Sequence, residues 1–225
     1  MCGRFSLFAE PAELIKRFGI HTFTFDFLPS YNIAPGQNIP AILSDQGERR
    51  MGQLHWGLIP SWAKDESIGY KLINAKAETI QEKPSFRTLF VRKRCLIPVD
   101  GFYEWKKTSD GKQPMRIVMK NREPFGLAGL FDTWVKPNGQ KVHSCTIITT
   151  EPNGIMDDIH ERMPVIIGKE HEELWLNRDF SDTQVLQSLL QPYDEQQMEA
   201  YPVSTIVGNV RNNHSECIAD ITKTL

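Results

Sequence analysis

The chain has 225 residues, 40% apolar and 24% charged, with a formal net charge of −2, a balance that suits a soluble globular protein able to bury a core without staples. No apolar run nears the roughly 20 residues that cross a bilayer, and the N-terminus lacks a signal peptide's basic region and apolar core, so a cytoplasmic, nucleoid-associated protein with no membrane contact is expected. Cys2, Cys95, Cys145 and Cys217 are widely spaced with no C-x-x-C pair, which argues against a zinc ribbon and against a disulfide framework.

The pattern predicts a short helix from Glu10 to Phe18, with Pro11 in its first turn, Leu14, Ile15 and Phe18 on one apolar face, and Gly19 at its end. Ile39 to Leu43 and Gly52 to Leu58 read as a strand pair around the polar turn Ser44-Asp45-Gln46-Gly47. Arg94 to Val99 and Phe102 to Lys107 read as strands broken by a tight turn at Asp100-Gly101. Met115 to Met119, Gly126 to Phe131 and His143 to Thr149 continue the β pattern, with a hairpin turn at Pro137-Asn138-Gly139. Cys95 and Cys145 fall in these apolar runs and read as buried strand thiols. Helical spacing returns at Lys169 to Leu176, behind an acidic start, and at Asp182 to Leu190. No repeat or linker divides the chain. The expected fold is α+β, a single domain over 1–225 with a curled or barrel-like, mainly antiparallel sheet and peripheral helices.

Charge is unevenly spread: between Lys71 and Arg122 there are thirteen Lys or Arg and five Asp or Glu, whereas acids dominate between Lys169 and Glu199. A basic face on a weakly acidic protein can bind a polyanion, although many such faces are merely solvated.

Several short polar turns beside apolar strands are placed to present chemistry. MCGRF puts a cysteine at position 2, where removal of Met1 would expose an α-amine and a thiol on one residue. Glu104 lies between Tyr103 and Trp105; aromatic walls would raise its pKa and make it a usable acid or base, whereas strict strand alternation would point it to water. His160, in HERMP, is an acid–base candidate or a structural histidine; proline at 164 removes the second ligand of a zinc H-E-x-x-H helix, so no metal is expected. Asn74, in LINAKAET, reads first as a helix cap and second as a group that orients a substrate. Arg4, Lys76, Arg87, Arg162 and Arg211 are candidate phosphate contacts, and Trp62 a candidate stacking platform for single-stranded nucleic acid.

MCGRF, YNIAPG, WGLIPSWA, INAKAET, GFYEW, HERMPVI and VGNVRN follow in order over about residues 2 to 215. Together they resemble the SRAP family, the SOS response-associated peptidases, whose members process abasic sites in DNA. The resemblance implies that Met1 is removed and that Cys2 forms a covalent thiazolidine with the ring-opened aldehyde of an abasic site in single-stranded DNA, shielding the lesion. It implies that the family's asparagine, glutamate and histidine are Asn74, Glu104 and His160, and that its phosphate-binding arginines are Arg4 and Arg162. It also implies no cofactor, a self-reversible crosslink, and SRAP-type thiol autopeptidase or lyase activity. Departures are Lys76, where other members often have arginine; Trp62-Ala63, where some have two tryptophans; and Pro84, with Arg87 as the nearby substitute for an arginine.

The chemistry of the residues agrees with this. An α-amine titrates at about 7.7–8.0, so part of it is nucleophilic near neutrality. It can form an imine with an aldehyde, and the thiol on the adjacent carbon can then close the ring. Competing readings are a glutamine-hydrolysing N-terminal nucleophile enzyme, a thiol peptidase, and a non-covalent module for single-stranded or modified DNA. A monomer is expected, with the replication machinery as a candidate partner.

Overall fold

Two mainly antiparallel sheets organise the chain in the computed structural model, which describes residues 2–223. In chain order the strands are β1 (Phe5–Leu7), β2 (Ile20–Phe23), β3 (Ser30–Ile33), β4 (Asn38–Asp45), β5 (Glu48–Trp56), β6 (Asn74–Lys76) and β7 (Arg94–Val99). They continue as β8 (Gly101–Thr108), β9 (Gly111–Met119), β10 (Phe125–Val135), β11 (Lys141–Thr150), β12 (Met163–Pro164), β13 (Ile166–Ile167) and β14 (Met198–Pro202). The smaller, barrel-like sheet has the order β14-β9-β8-β1-β3. The larger runs β12-β11-β10-β7-β4-β5-β2, with β13 added on β10 and β6 on β11. The helices are short and peripheral: α1 (Pro11–Phe18), α2 (Arg87–Arg92), α3 (Gly154–Asp157), α4 (Glu172–Leu176) and α5 (Thr183–Ser188). The fold is thus α+β, as the pattern predicts.

Local signals account for the elements that match. Gly19 closes α1 in the left-handed conformation, its N–H donating to the Ile15 carbonyl. Leu14 and Phe18 are buried, but Ile15, expected on the same face, is 44% exposed, because the core contacts only the i, i+4 pair. The β4–β5 hairpin is longer than predicted. Its turn is the pair Gln46-Gly47, both at positive φ, and the polar residues Glu48 to Arg50 belong to the ladder. Arg49, paired with Ser44 of β4 and Ile20 of β2, donates its guanidinium to the Phe18 carbonyl and the Glu172 carboxylate. The Pro137-Asn138-Gly139 turn joins β10 and β11 as expected.

Asp100-Gly101 is not a hairpin. β7 and β8 lie in different sheets, and the chain changes sheet at Asp100. The Asp100 carboxylate holds the crossover by accepting the Phe8 and Ala9 backbone N–H groups. Asn74 caps no helix; it opens β6, which runs parallel to β11. The expected helix over 169–176 is a 3₁₀ turn, Lys169–His171, followed by α4, and that over 182–190 is α5, capped by Asp182. Buried Arg94 donates to the carbonyls of Phe90, Val91, Trp175, Asn177 and Phe180, which satisfies the C-terminal ends of α2 and α4.

Residues 57–72 loop from β5 toward β6 and are pinched at their base. Gly57, at φ 140°, lies against Gly69, and a Cβ there would stand 2.9 Å from the Gly69 carbonyl oxygen. Gly57→Ala therefore meets both backbone strain and a backbone clash, and should lower stability by more than about 1 kcal/mol. Thermal unfolding followed by circular dichroism reads this directly.

Candidate active site

The N-terminal segment is positioned by β1. Phe5 pairs with Phe102 and Ser6 with Gly101, and the Tyr103 N–H donates to the Arg4 carbonyl at 2.9 Å. Continuing that register carries Gly3 and Cys2 past Glu104 and Trp105. Cys2 is fully buried, and burial, with the nearby Glu104 charge, pushes its thiol well above the ordinary range.

Glu104 is only 3% exposed, and its neighbour Tyr103 is fully buried. Strict alternation fails here because both faces of this part of β8 are covered, Tyr103 reaching the Tyr31 carbonyl on one side at 2.6 Å. Burial raises the Glu104 carboxyl to about 7. His160 lies opposite, its Nε2 3.9 Å from Glu104 Oε2. Its Nδ1 lies 3.1 Å from the Arg162 backbone nitrogen and 3.2 Å from the Arg162 carbonyl oxygen, a pair of contacts that holds the ring with Nε2 facing Glu104. Burial lowers the His160 pKa below the ordinary histidine value, which keeps the ring neutral at pH 7.

The larger sheet supplies the other wall. Thr149 pairs with Lys76 of β6 on one edge and with Pro164 of β12 on the other, so the two short strands flank the end of β11. Asn74, two residues before Lys76, donates through Nδ2 to the Ile147 carbonyl at 3.4 Å. Its Oδ1 is buried without a hydrogen-bond partner among the described residues, an acceptor open to an N–H or O–H donor. Arg162 donates to the Thr149 carbonyl at 2.7 Å and forms a bidentate pair with Glu78 at 2.7 and 2.9 Å.

Arg4 is half-buried and committed. It donates to Asn32 Oδ1 at 2.7 Å and to the Val207 carbonyl at 2.6 Å, and lies 5.7 Å from the Trp105 ring centroid. Asn32, absent from the sequence-based candidates, is 2% exposed and donates to the carbonyls of Val207, Asn209 and Asn212. Its signal lay in YNIAPG, where a polar residue follows Tyr31 directly in an apolar strand. This tie brings the loop bearing exposed Arg211 to the N-terminal segment. Lys76 and Trp62 are exposed. Arg87 is also exposed and opens α2, which packs on β7 and β10. No group of three or more His, Cys, Asp or Glu residues suited to holding a metal occurs among the described residues.

Residues 1–210 match the family described as SOS response associated peptidase (SRAP). The chain belongs to the SRAP family. Among its SRAP relatives, the abasic site processing protein YoqW of Bacillus subtilis is 54% identical over 221 residues, which is 97% of this chain and 99% of the relative. The abasic site processing protein HMCES of Xenopus tropicalis is 36% identical over 229 residues, which covers 88% of this chain and 68% of the relative. The crystal structure of a protein from Bacteroides thetaiotaomicron superposes with a TM-score of 0.83 at 33% identity, covering 91% of this chain and 93% of that one. No helix among the described residues is long and apolar enough to cross a membrane.

Proposed function

We propose that this SRAP protein processes abasic sites in single-stranded DNA by forming a covalent thiazolidine through Cys2 after Met1 is removed. The observation that carries the reading is a carboxyl raised to about 7, buried beside the Cys2 segment and facing a neutral histidine. The names of its relatives support the substrate class.

In this reading the Cys2 α-amine attacks the aldehyde of the opened deoxyribose. The carbinolamine loses water, with Glu104 in its acid form giving the proton that leaves with the hydroxyl. That loss leaves a protonated imine, and its carbon is attacked by the Cys2 sulfur. Because burial keeps the thiol protonated, the proton must be removed as the carbon–sulfur bond forms. Glu104, now a carboxylate, takes it, and the imine nitrogen becomes the ring amine. A carboxyl near 7 serves both steps at neutral pH. Neutral His160 orients this exchange through its Nε2, and Asn74 Oδ1 accepts from the amine or a sugar hydroxyl. Arg4, Lys76, Arg162 and Arg211 supply cationic charge for phosphates, Trp62 stacks on a flanking base, and Arg87 lends charge farther along the strand. Protonation of the ring amine by Glu104 would reverse the crosslink.

The test is direct. Mature protein incubated with a single-stranded oligonucleotide bearing one abasic site should give a heat-stable, slower-migrating band without borohydride. Duplex substrate should react poorly and added salt should weaken capture. No band from the mature protein would overturn the thiazolidine chemistry.

A further inference from the structure

We infer that Glu78 is a specificity-determining residue: its carboxylate occupies the seat that a DNA phosphate would take on Arg162, so that undamaged single strands meet a neutral pair rather than a free cation. The inference rests on the abasic-site reading above and concerns how that site rejects other DNA.

The Arg162 side chain is 13% exposed and that of Glu78 41%, so the acid is the outer, more movable partner. Arg162 gives Nη1 and Nη2 together to the two Glu78 oxygens, and Nη2 also reaches the Thr149 carbonyl. Its Nε is buried and has no hydrogen-bond partner among the described residues. The end of the guanidinium that normally grips a phosphate bidentately is therefore filled. A phosphate can take that end only by displacing Glu78, while the Thr149 carbonyl keeps the guanidinium in place. Arg162 beside it holds the Glu78 carboxyl below the usual carboxylate range, so Glu78 stays charged at neutral pH and the pair carries no net charge.

The position gives the exchange its purpose. Lys76 and Asn74 are on the same short strand, two and four residues before Glu78, and Thr149 pairs with Lys76. A strand that presents an abasic site to Cys2 also delivers its flanking phosphate here at high local concentration, enough to displace an exposed carboxylate. A strand with every base in place has no such anchor and gains nothing from Arg162.

The experiment uses the full chain and two fluorescein-labelled single strands of one sequence, one undamaged and one with a single abasic site. Fluorescence anisotropy across a salt series measures binding to the undamaged strand, and gel shift measures the crosslinking rate on the other. Glu78→Gln should bind the undamaged strand roughly three- to fivefold tighter. Its log–log salt slope should steepen by about 0.7, one further phosphate contact to single-stranded DNA. The crosslinking rate should change by less than about twofold, since the phosphate already displaces the acid there. The gain should vanish when Arg162→Ala is added, and Glu78→Ala, which lacks any hydrogen-bonding end, should behave as Glu78→Gln does. Unchanged or weaker binding by both single variants would overturn the inference and make Glu78 a brace for Arg162. A gain that persists with Arg162→Ala would reduce it to general charge removal, and also overturn it. Either result with normal crosslinking leaves the abasic-site reading standing, whereas loss of crosslinking by the unaltered protein removes both.

Discussion

Cys2→Ala should abolish the heat-stable crosslink to an abasic single strand while leaving the protein folded. Met1 removal still occurs before a small residue, so the variant keeps an α-amine and can form an imine, but without sulfur no ring closes. The imine hydrolyses on heating, and a band should appear only when borohydride is added. Cys2→Ser should likewise leave no stable ring. An unaltered chain that retains Met1 lacks the adjacent amine and should also fail. The cost to stability should be small, about 1 kcal/mol, because only one buried atom is lost from the core. Denaturing gels run with and without reductant separate the cases. A stable band surviving Cys2→Ala without borohydride would place the covalent bond on a lysine and sink the proposed chemistry.

Glu104→Gln should stabilise the fold and disable it. The carboxyl is 3% exposed and its folded pKa is about 7, above the ordinary value of 4.5. The folded state therefore holds its proton more tightly than the unfolded state. Its contribution to stability is greatest below pH 4.5, falls as pH rises through about 7, and stays low above that. Neutral glutamine removes that loss. The variant should match the original at low pH and exceed it at pH 8 by up to about 3 kcal/mol, read from urea unfolding at both pH values. Crosslinking at neutral pH should fall by about 10²- to 10⁴-fold, the usual worth of a positioned proton-transfer group. The rate profile should also lose its inflection near 7. A variant that crosslinks at the original rate would remove Glu104 from the proton transfers.

Elements whose signals are local were legible in the chain. The Gln46-Gly47 and Pro137-Asn138-Gly139 turns, α1 with its glycine cap, and the apolar runs of β7 and β11 rest on neighbours a few residues away. Pairings between distant segments were not: β6 beside β11, β2 beside β5, and β14 beside β9 depend on partners no local pattern names. The crossover at Asp100 was misread for the same reason, since its carboxylate serves backbone groups 91 and 92 residues away. The candidate site divides likewise. Cys2, Asn74, Glu104 and His160 stand in recognisable motifs. The ties that engage Arg4 and Arg162, to Val207 and Glu78, span 203 and 84 residues and leave no mark in either motif.

The Arg4–Val207 tie also sets a clock. Its partners are 203 residues apart, so it cannot form until nearly the whole chain has been made. At synthesis rates of about 5–20 residues per second, the N-terminal strand waits roughly 10–40 s for its last partner. During that interval an enzyme can remove Met1 while the N-terminal segment is still without its tie to Val207. On the proposed chemistry, the reagent is prepared during translation, before the segment that carries Val207 arrives to fix Arg4 beside it.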